Sequence, residues 1–315
     1  MTNIETQLVA LGAGPGGYAA AFLAADKGIQ VTLIDADEKP GGVCLRRGCI
    51  PSKALLHAAR LITDAREAGS WGITFKPPEI DLNTLRATKD TIVDKLSSHL
   101  AELAKRRKVN WIRARATFED STTLALDNGD RVRFQTCILA TGSSPTRLPA
   151  FDLKSPRVLD STLALQLPDV PKTLLVVGGG YIGLELGTVY AALGSQVTVV
   201  ELTGTLLPGV DADLVRPLHA RLEKQFHKIY LNTKVSRIEE VKDGIRATLE
   251  GQGVSAPEAT FERVLVAVGR RPNSSNLGLE KTRVQLDEKG FVKVDERRRT
   301  TDEHIYAIGD VAGEP

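Results

Sequence analysis

Residues 8–35, LVALGAGPGGYAAAFLAADKGIQVTLID, and residues 174–201, LLVVGGGYIGLELGTVYAALGSQVTVVE, align without a gap at an offset of 166. Each copy holds an apolar strand, a Gly-rich turn, an Ala/Leu-rich helix, a Gly near the helix end, a second apolar strand and a terminal carboxylate. This is a βαβ unit, and it occurs twice. A βαβ unit requires a parallel sheet with helices covering its faces. A second echo follows each copy: CILATGSSP at 137–145 and VLVAVGRRP at 264–272, each a strand ending in Gly with Pro three residues later. The 315 residues suffice for two domains at about 150 residues each. The expected fold class is α/β, with two domains each built on a parallel sheet covered by helices.

The turns carry two fingerprints, Gly12-x-Gly14-x-x-Gly17 followed by Asp35 and Gly178-x-Gly180-x-x-Gly183 followed by Glu201. Such glycines permit a tight turn and close backbone approach to a pyrophosphate, and the helix N-terminus offers it free N–H groups and positive potential. The carboxylate at the end of the second strand accepts hydrogen bonds from ribose hydroxyls. One GxGxxG is a weak signal; two, each after a strand and each with its acid, are strong. Glu201 repels the 2′-phosphate of NADP, and nothing basic follows it in Leu202-Thr203-Gly204-Thr205, so the second site is read as NAD. Two dinucleotide sites suggest a flavin and a nicotinamide that exchange electrons.

Residues 50–68 and 84–108 read as helices. The run Lys105-Arg106-Arg107-Lys108 reads as a cationic last turn complementing the helix dipole, against a nucleic-acid patch as the alternative. Residues 117–136 and 229–265 alternate around Asn128-Gly129 and Asp243-Gly244 and suggest hairpins. The stretch 145–172, with five prolines, reads as a connection between domains. A net charge of +2 and 5% aromatic residues give no support for nucleic-acid binding or an anionic membrane. No stretch approaches the roughly 20 apolar residues of a membrane span, and no signal or transit peptide is recognised, so a cytoplasmic location is expected.

Three cysteines are too few for a secreted disulfide scaffold. Cys137 lies in an apolar strand and reads as core. Cys44 and Cys49 lie in GGVCLRRGCIPSK, residues 41–53. In an ideal helix such a pair has Cα atoms about 8.6 Å apart, whereas a disulfide wants roughly 4.4–6.8 Å. The chain between them must therefore leave regular helix if they pair, and Gly48 supplies that freedom. Two separate buried thiols, or a zinc site with His57, are the alternatives. Pro51 suits the first position of the following helix, which places Cys49 at its N-terminal end, where the dipole favours a thiolate.

GGVCLRRGCIPSKALLH, together with both fingerprints, ATG at 140–142 and AIGD at 307–310, resembles the dihydrolipoyl dehydrogenases, which are FAD-dependent pyridine nucleotide–disulfide oxidoreductases. The resemblance covers essentially the whole chain. Arg46-Arg47 departs from it, since the family usually has an Asn and a small apolar residue there. The resemblance implies a redox-active Cys44–Cys49 disulfide. Cys44 corresponds to the interchange thiol, and Cys49 to the thiol whose thiolate lies against the flavin. Lys53 corresponds to the lysine near flavin N5, paired with Glu185. Asp310 corresponds to the aspartate on the ribityl chain, and Thr141 and Gly142 belong to the same FAD site as Gly12, Gly14, Gly17 and Asp35. Gly178, Gly180, Gly183, Glu201 and Gly269 form the NAD site, and no metal is implied. The implied fold is two Rossmann-like three-layer dinucleotide-binding domains, with the NAD domain, residues 147–270, inserted into the FAD domain, residues 1–146 and 271–315. Electrons would run from a dihydrolipoyl dithiol to the disulfide, to FAD, to NAD.

The resemblance also implies partners: the dihydrolipoyl groups of 2-oxo acid dehydrogenase or glycine cleavage complexes. It further implies a homodimer built through a C-terminal domain in which a His followed by Pro, with a Glu shortly after, serves as acid–base partner of the other subunit's interchange thiol. None of His57, His99, His219, His227 and His304 precedes Pro. The chain is thus expected to represent the first two thirds of such an enzyme, neither dimeric nor necessarily active alone. Mercuric reductase is the nearest enzyme rival. Glutathione reductase fits less well, because its family expects arginines after the second fingerprint and Lys rather than Ser52. A non-catalytic flavin-binding fragment is the alternative from a different class.

Overall fold

The computed structural model describes residues 2–251, 253–254 and 257–313. The chain divides into two compact units, Met1–Cys49 with Ile92–Ser144 and Arg270–Pro315, and Ile50–Thr91 with Pro145–Gly269. The boundaries at Cys49 and Thr91 fall inside the long helices Cys49–Glu67 and Leu82–Arg106.

The first unit is built on a sheet whose parallel strands run in the order Asn110–Arg113, Val31–Asp35, Asn3–Leu11, Arg131–Leu139, Ile305–Ala307. Leu8, Ala10 and Leu33 pack on one face with Ala21 and Phe22 of the helix Pro15–Asp26. Val9, Leu11 and Ile34 pack on the other with Cys137, Leu139 and Ile305. Both faces are buried, so these strands read as continuous apolar runs rather than as alternating ones. An antiparallel meander, Ala116–Asp120 and Thr123–Leu126, joins the first half of Arg131–Leu139.

The second unit repeats the plan. Its five strands are all parallel, in the order Lys228–Tyr230, Gln196–Val200, Thr173–Val177, Arg263–Val266, Val158–Leu159. Its own meander is Thr233–Val241, Gly244–Gly251 and Glu258–Phe261. Val176 faces one core and Leu175 and Val177 the other. The α/β class with parallel sheets is therefore as expected.

Three local expectations change. The segment 145–172 is more than a connection: Val158–Leu159 is an edge strand, and the helix Ser161–Leu165, capped by Asp160 on the amide of Leu163, buries Ala164 and Leu165. The ends of 229–265 belong to the parallel sheet, and only the middle forms a hairpin meander. The helix expected from Pro51 starts at Cys49, so Pro51 sits in its first turn, where a missing N–H leaves no carbonyl unpaired. Among the described residues no helix is long and apolar enough to cross a membrane.

Candidate functional site

In the first fingerprint each glycine has a separate task. Gly12 has φ +103°, and a Cβ there would lie 2.3 Å from the carbonyl oxygen of Ala140. A Cβ on Gly17 would lie 1.7 Å from the Gly12 oxygen, so the helix can approach the strand only with Gly at this position. Gly14 is different: its Cβ would meet nothing nearer than Gly42 Cα at 3.9 Å. Gly14 caps the helix Pro15–Asp26 without a side-chain hydrogen bond. The first-turn amides therefore face open space above a bare glycine, a cradle for an anionic group.

The second fingerprint has the same construction. A Cβ on Gly178 would lie 2.3 Å from the Ala267 oxygen, one on Gly183 2.4 Å from the Gly178 oxygen, and one on Gly180 near nothing. Gly180 caps the helix Tyr181–Leu193, again without a side-chain bond. Ala140 and Ala267 occupy matching places in the two echoed closing strands.

The two acids also hold the turns. Asp35 accepts hydrogen bonds from the amides of Ala13 (2.6 Å) and Asp37 (2.8 Å), one on each oxygen. Glu201, only 7% exposed, accepts from the amide of Gly179 (2.6 Å) on Oε2, and from the amide (2.8 Å) and hydroxyl (2.9 Å) of Thr203 on Oε1. The fingerprint pattern points these carboxylates to ribose alone. The task of fixing the turn was missed, as were Thr203 and Gly179. A Cβ on Gly179 would press to 2.9 Å on Leu206 and 3.0 Å on Glu201, and the run of three glycines is the signal for this.

The cysteine segment is a helix, Gly42–Arg47, a break at Gly48, and a new helix from Cys49. The break brings the Cα atoms to 4.7 Å, and Cys44 and Cys49 form a disulfide rather than standing as separate thiols. Gly41 and Gly42 both have positive φ, and a Cβ on Gly42 would lie 2.5 Å from Gly14 Cα. The short helix therefore starts directly against the first fingerprint. Cys44 is half-buried and Cys49 exposed. Arg47 forms a two-pronged pair with Asp37, and Arg46 donates to the Lys39 carbonyl.

In the second unit, Lys53 Nζ lies 2.6 Å from Glu185 Oε1, and the buried Ser52 hydroxyl donates to Oε2 at 2.7 Å. The structure thus brings Lys53 and Glu185 together and adds Ser52. In the first unit, Asp310 Oδ2 accepts from the Ser143 hydroxyl, which in turn accepts from Arg270 Nε at 2.7 Å. Thr141 donates to the Asn273 carbonyl (2.8 Å), and Asn273 Nδ2 donates back to the Thr141 carbonyl (2.9 Å). Gly142 and Gly269, each the Gly that ends an echoed closing strand, both take positive φ. Ser143 and Arg270 were not singled out from sequence, although each follows the Gly of an echoed motif. His57 is exposed, and burial pushes the Cys137 thiol far up, which keeps it an unreactive core residue.

Residues 6–315 match the pyridine nucleotide-disulphide oxidoreductase family. The chain belongs to this family. It is 47% identical over 317 residues to the dihydrolipoyl dehydrogenase of Haemophilus influenzae, covering 99% of this chain and 66% of that protein. It is 42% identical to the dihydrolipoyl dehydrogenase of Haloferax volcanii, covering 97% of this chain and 65% of that one. Among solved structures, the Cu(II) complex of the HOCl-induced flavoprotein disulfide reductase of Escherichia coli superposes with a TM-score of 0.85 at 29% identity, over 99% of this chain and 67% of its own. The chain thus spans about two thirds of the length of these relatives. Members of the family use FAD and NAD. The two glycine cradles fit such groups: each leaves room at its second glycine and uncapped amides at a helix N-terminus.

Proposed function

We propose that this protein is a dihydrolipoyl dehydrogenase, oxidising dihydrolipoyl groups with NAD through the Cys44–Cys49 disulfide. One observation carries the reading: a disulfide with an exposed member, closed across a helix break directly against an uncapped glycine cradle. A structural disulfide has no need of that placement, and a dinucleotide turn has no need of a disulfide. FAD, when bound at Gly12, Gly14, Gly17, Asp35, Thr141, Gly142 and Asp310, supplies the two-electron chemistry that links a dithiol couple to a nicotinamide.

The chain's own residues then have these roles. Cys44 exchanges with the substrate dithiol, and Cys49, at the helix N-terminus, is the thiol held as thiolate. Lys53, paired with Glu185, presents a positive charge to the flavin. Asp310, held through Ser143 and Arg270, orients the ribityl chain. Gly178, Gly180, Gly183, Glu201 and Gly269 hold NAD, and Glu201 disfavours NADP by charge. The flavin domain comprises residues 1–146 and 271–315, the NAD domain residues 147–270. For the intact protein the partners are lipoyl-bearing 2-oxo acid dehydrogenase or glycine cleavage complexes and the assembly is a homodimer, in the cytoplasm.

The test is steady-state oxidation of dihydrolipoamide by NAD with the FAD-loaded protein, compared with NADPH-linked reduction of glutathione disulfide and of mercuric ion. Preferred turnover of dihydrolipoamide, lost in Cys44→Ser and Cys49→Ser, supports the reading. Faster NADPH-linked reduction of glutathione disulfide or of mercuric ion overturns it.

A further inference from the structure

We infer that Arg47 is a positioning residue for the redox pair: through Asp37 it holds the helix Gly42–Arg47 so that the two cysteines stay poised to close when reduced. The inference rests on the redox role proposed above.

The helix carrying Cys44 has six residues, too few to persist alone, and it is joined to the Cys49 helix through Gly48. While the disulfide exists, the S–S bond fixes the geometry. Once it is reduced, the helix keeps its peptide link through Gly48 and the packing of the buried Leu45, and its side-chain hydrogen bonds converge on the loop after the strand Val31–Asp35. Arg47 Nη2 lies 2.7 Å from Asp37 Oδ2 and Nη1 3.1 Å from Oδ1, with the side chains 40% and 23% exposed. Arg46 Nη1 donates to the Lys39 carbonyl at 3.2 Å. The loop is itself anchored by the Ser97 hydroxyl, which donates to the buried Pro40 carbonyl at 2.6 Å.

The ties close into a ring. The Asp37 amide donates to Asp35 Oδ1, Asp35 Oδ2 accepts from the Ala13 amide, and the Ala13 carbonyl accepts from the amide of Gly41 at 2.8 Å, the residue that opens the redox helix. Planar two-pronged pairing fixes direction as well as distance, which a lysine cannot reproduce. Opening the disulfide consumes two electrons and two protons, supplied for instance by two glutathione thiols that leave as one glutathione disulfide. A tie that survives reduction lowers the entropy cost of closing the ring again and so favours the disulfide.

The experiment is equilibration of the full chain in glutathione redox buffers, reading the fraction of Cys44–Cys49 disulfide by thiol trapping. Asp37→Asn and Arg47→Met are each expected to shift the equilibrium about tenfold toward the dithiol, about 30 mV for a two-electron couple. The double variant should shift no further than either single one, and Arg47→Lys should shift less than Arg47→Met. The two single substitutions change local charge in opposite senses. Shifts of opposite sign would therefore assign the effect to charge and overturn the inference. So would variants that melt lower yet keep the wild-type equilibrium within twofold, or a double variant equal to the product of the singles. If the wild-type disulfide does not exchange at all, the redox role itself fails; normal exchange with unmoved variants defeats only the role of Arg47.

Discussion

Replacing Glu201 by Gln separates the carboxylate's duty to the fold from its duty to a ligand. The side chain is 7% exposed and takes three donors: the Gly179 amide, the Thr203 amide and the Thr203 hydroxyl. Glutamine keeps the shape but supplies one acceptor oxygen and one donor group. The hydroxyl can turn to accept from the new NH2; a backbone amide cannot. One N–H, that of the buried Gly179 or that of Thr203, is left facing a donor, and the remaining bonds lose their charge assistance. An unsatisfied buried N–H costs about 1–3 kcal/mol, so a net loss of about 2–3 kcal/mol is expected. Denaturant unfolding of the ligand-free chain measures the total. Hydrogen exchange at the amides of Gly179 and Thr203 locates it, and one of the two should lose protection. A Glu201→Gln chain within about 0.5 kcal/mol of wild type, with both amides still protected, would refute the structural duty and leave only a ligand contact.

The glycines of each fingerprint should respond oppositely. Gly17→Ala, whose Cβ would lie 1.7 Å from the Gly12 oxygen, should destabilise the chain by about 3 kcal/mol or more, whereas Gly14→Ala should leave thermal stability nearly unchanged and weaken FAD binding. Fluorescence titration should show NAD preferred over NADP by at least about tenfold, about 1.4 kcal/mol, and Glu201→Gln should narrow the gap. Burial opposes the ionised form of Asp302, but the Ser121 hydroxyl, the amides of Arg283 and His304 and the Arg283 charge outweigh it and hold its carboxyl below the ordinary value. A lowered native value means stability is fully present above the unfolded carboxylate value near 4 and is lost as pH falls through the native one. Asp302→Asn should therefore be destabilised near neutral pH and show a shallower acid dependence of its melting temperature.

The repeat at 8–35 and 174–201 was enough to foresee both parallel sheets, because a βαβ unit leaves little choice of topology and its strands are long apolar runs. Val158–Leu159 escaped notice because two residues carry no periodicity; its partner Arg263–Val266 is over a hundred residues away. The glycine cradles and the cysteine pair were legible as spacings. The bonds that orient them were not: Ser52 to Glu185, Ser143 to Asp310 and Arg47 to Asp37 join segments whose proximity only the folded chain creates. Arg46-Arg47 stood out as a departure, but nothing in the sequence pointed to Asp37 as a partner. The second role of Asp35 and Glu201 was hidden for a different reason: a carboxylate that binds ribose and one that braces a turn have the same letter at the same place.

The most direct test of the account is an anaerobic titration of the FAD-loaded chain with a two-electron reductant, following flavin absorbance and free thiols together. The first two electrons should release two thiols, trapped at Cys44 and Cys49, while the main flavin absorbance persists. New long-wavelength absorption should appear with them and be abolished by Cys49→Ser. Bleaching of the flavin by the first equivalent, with Cys44 and Cys49 still joined, would contradict the account.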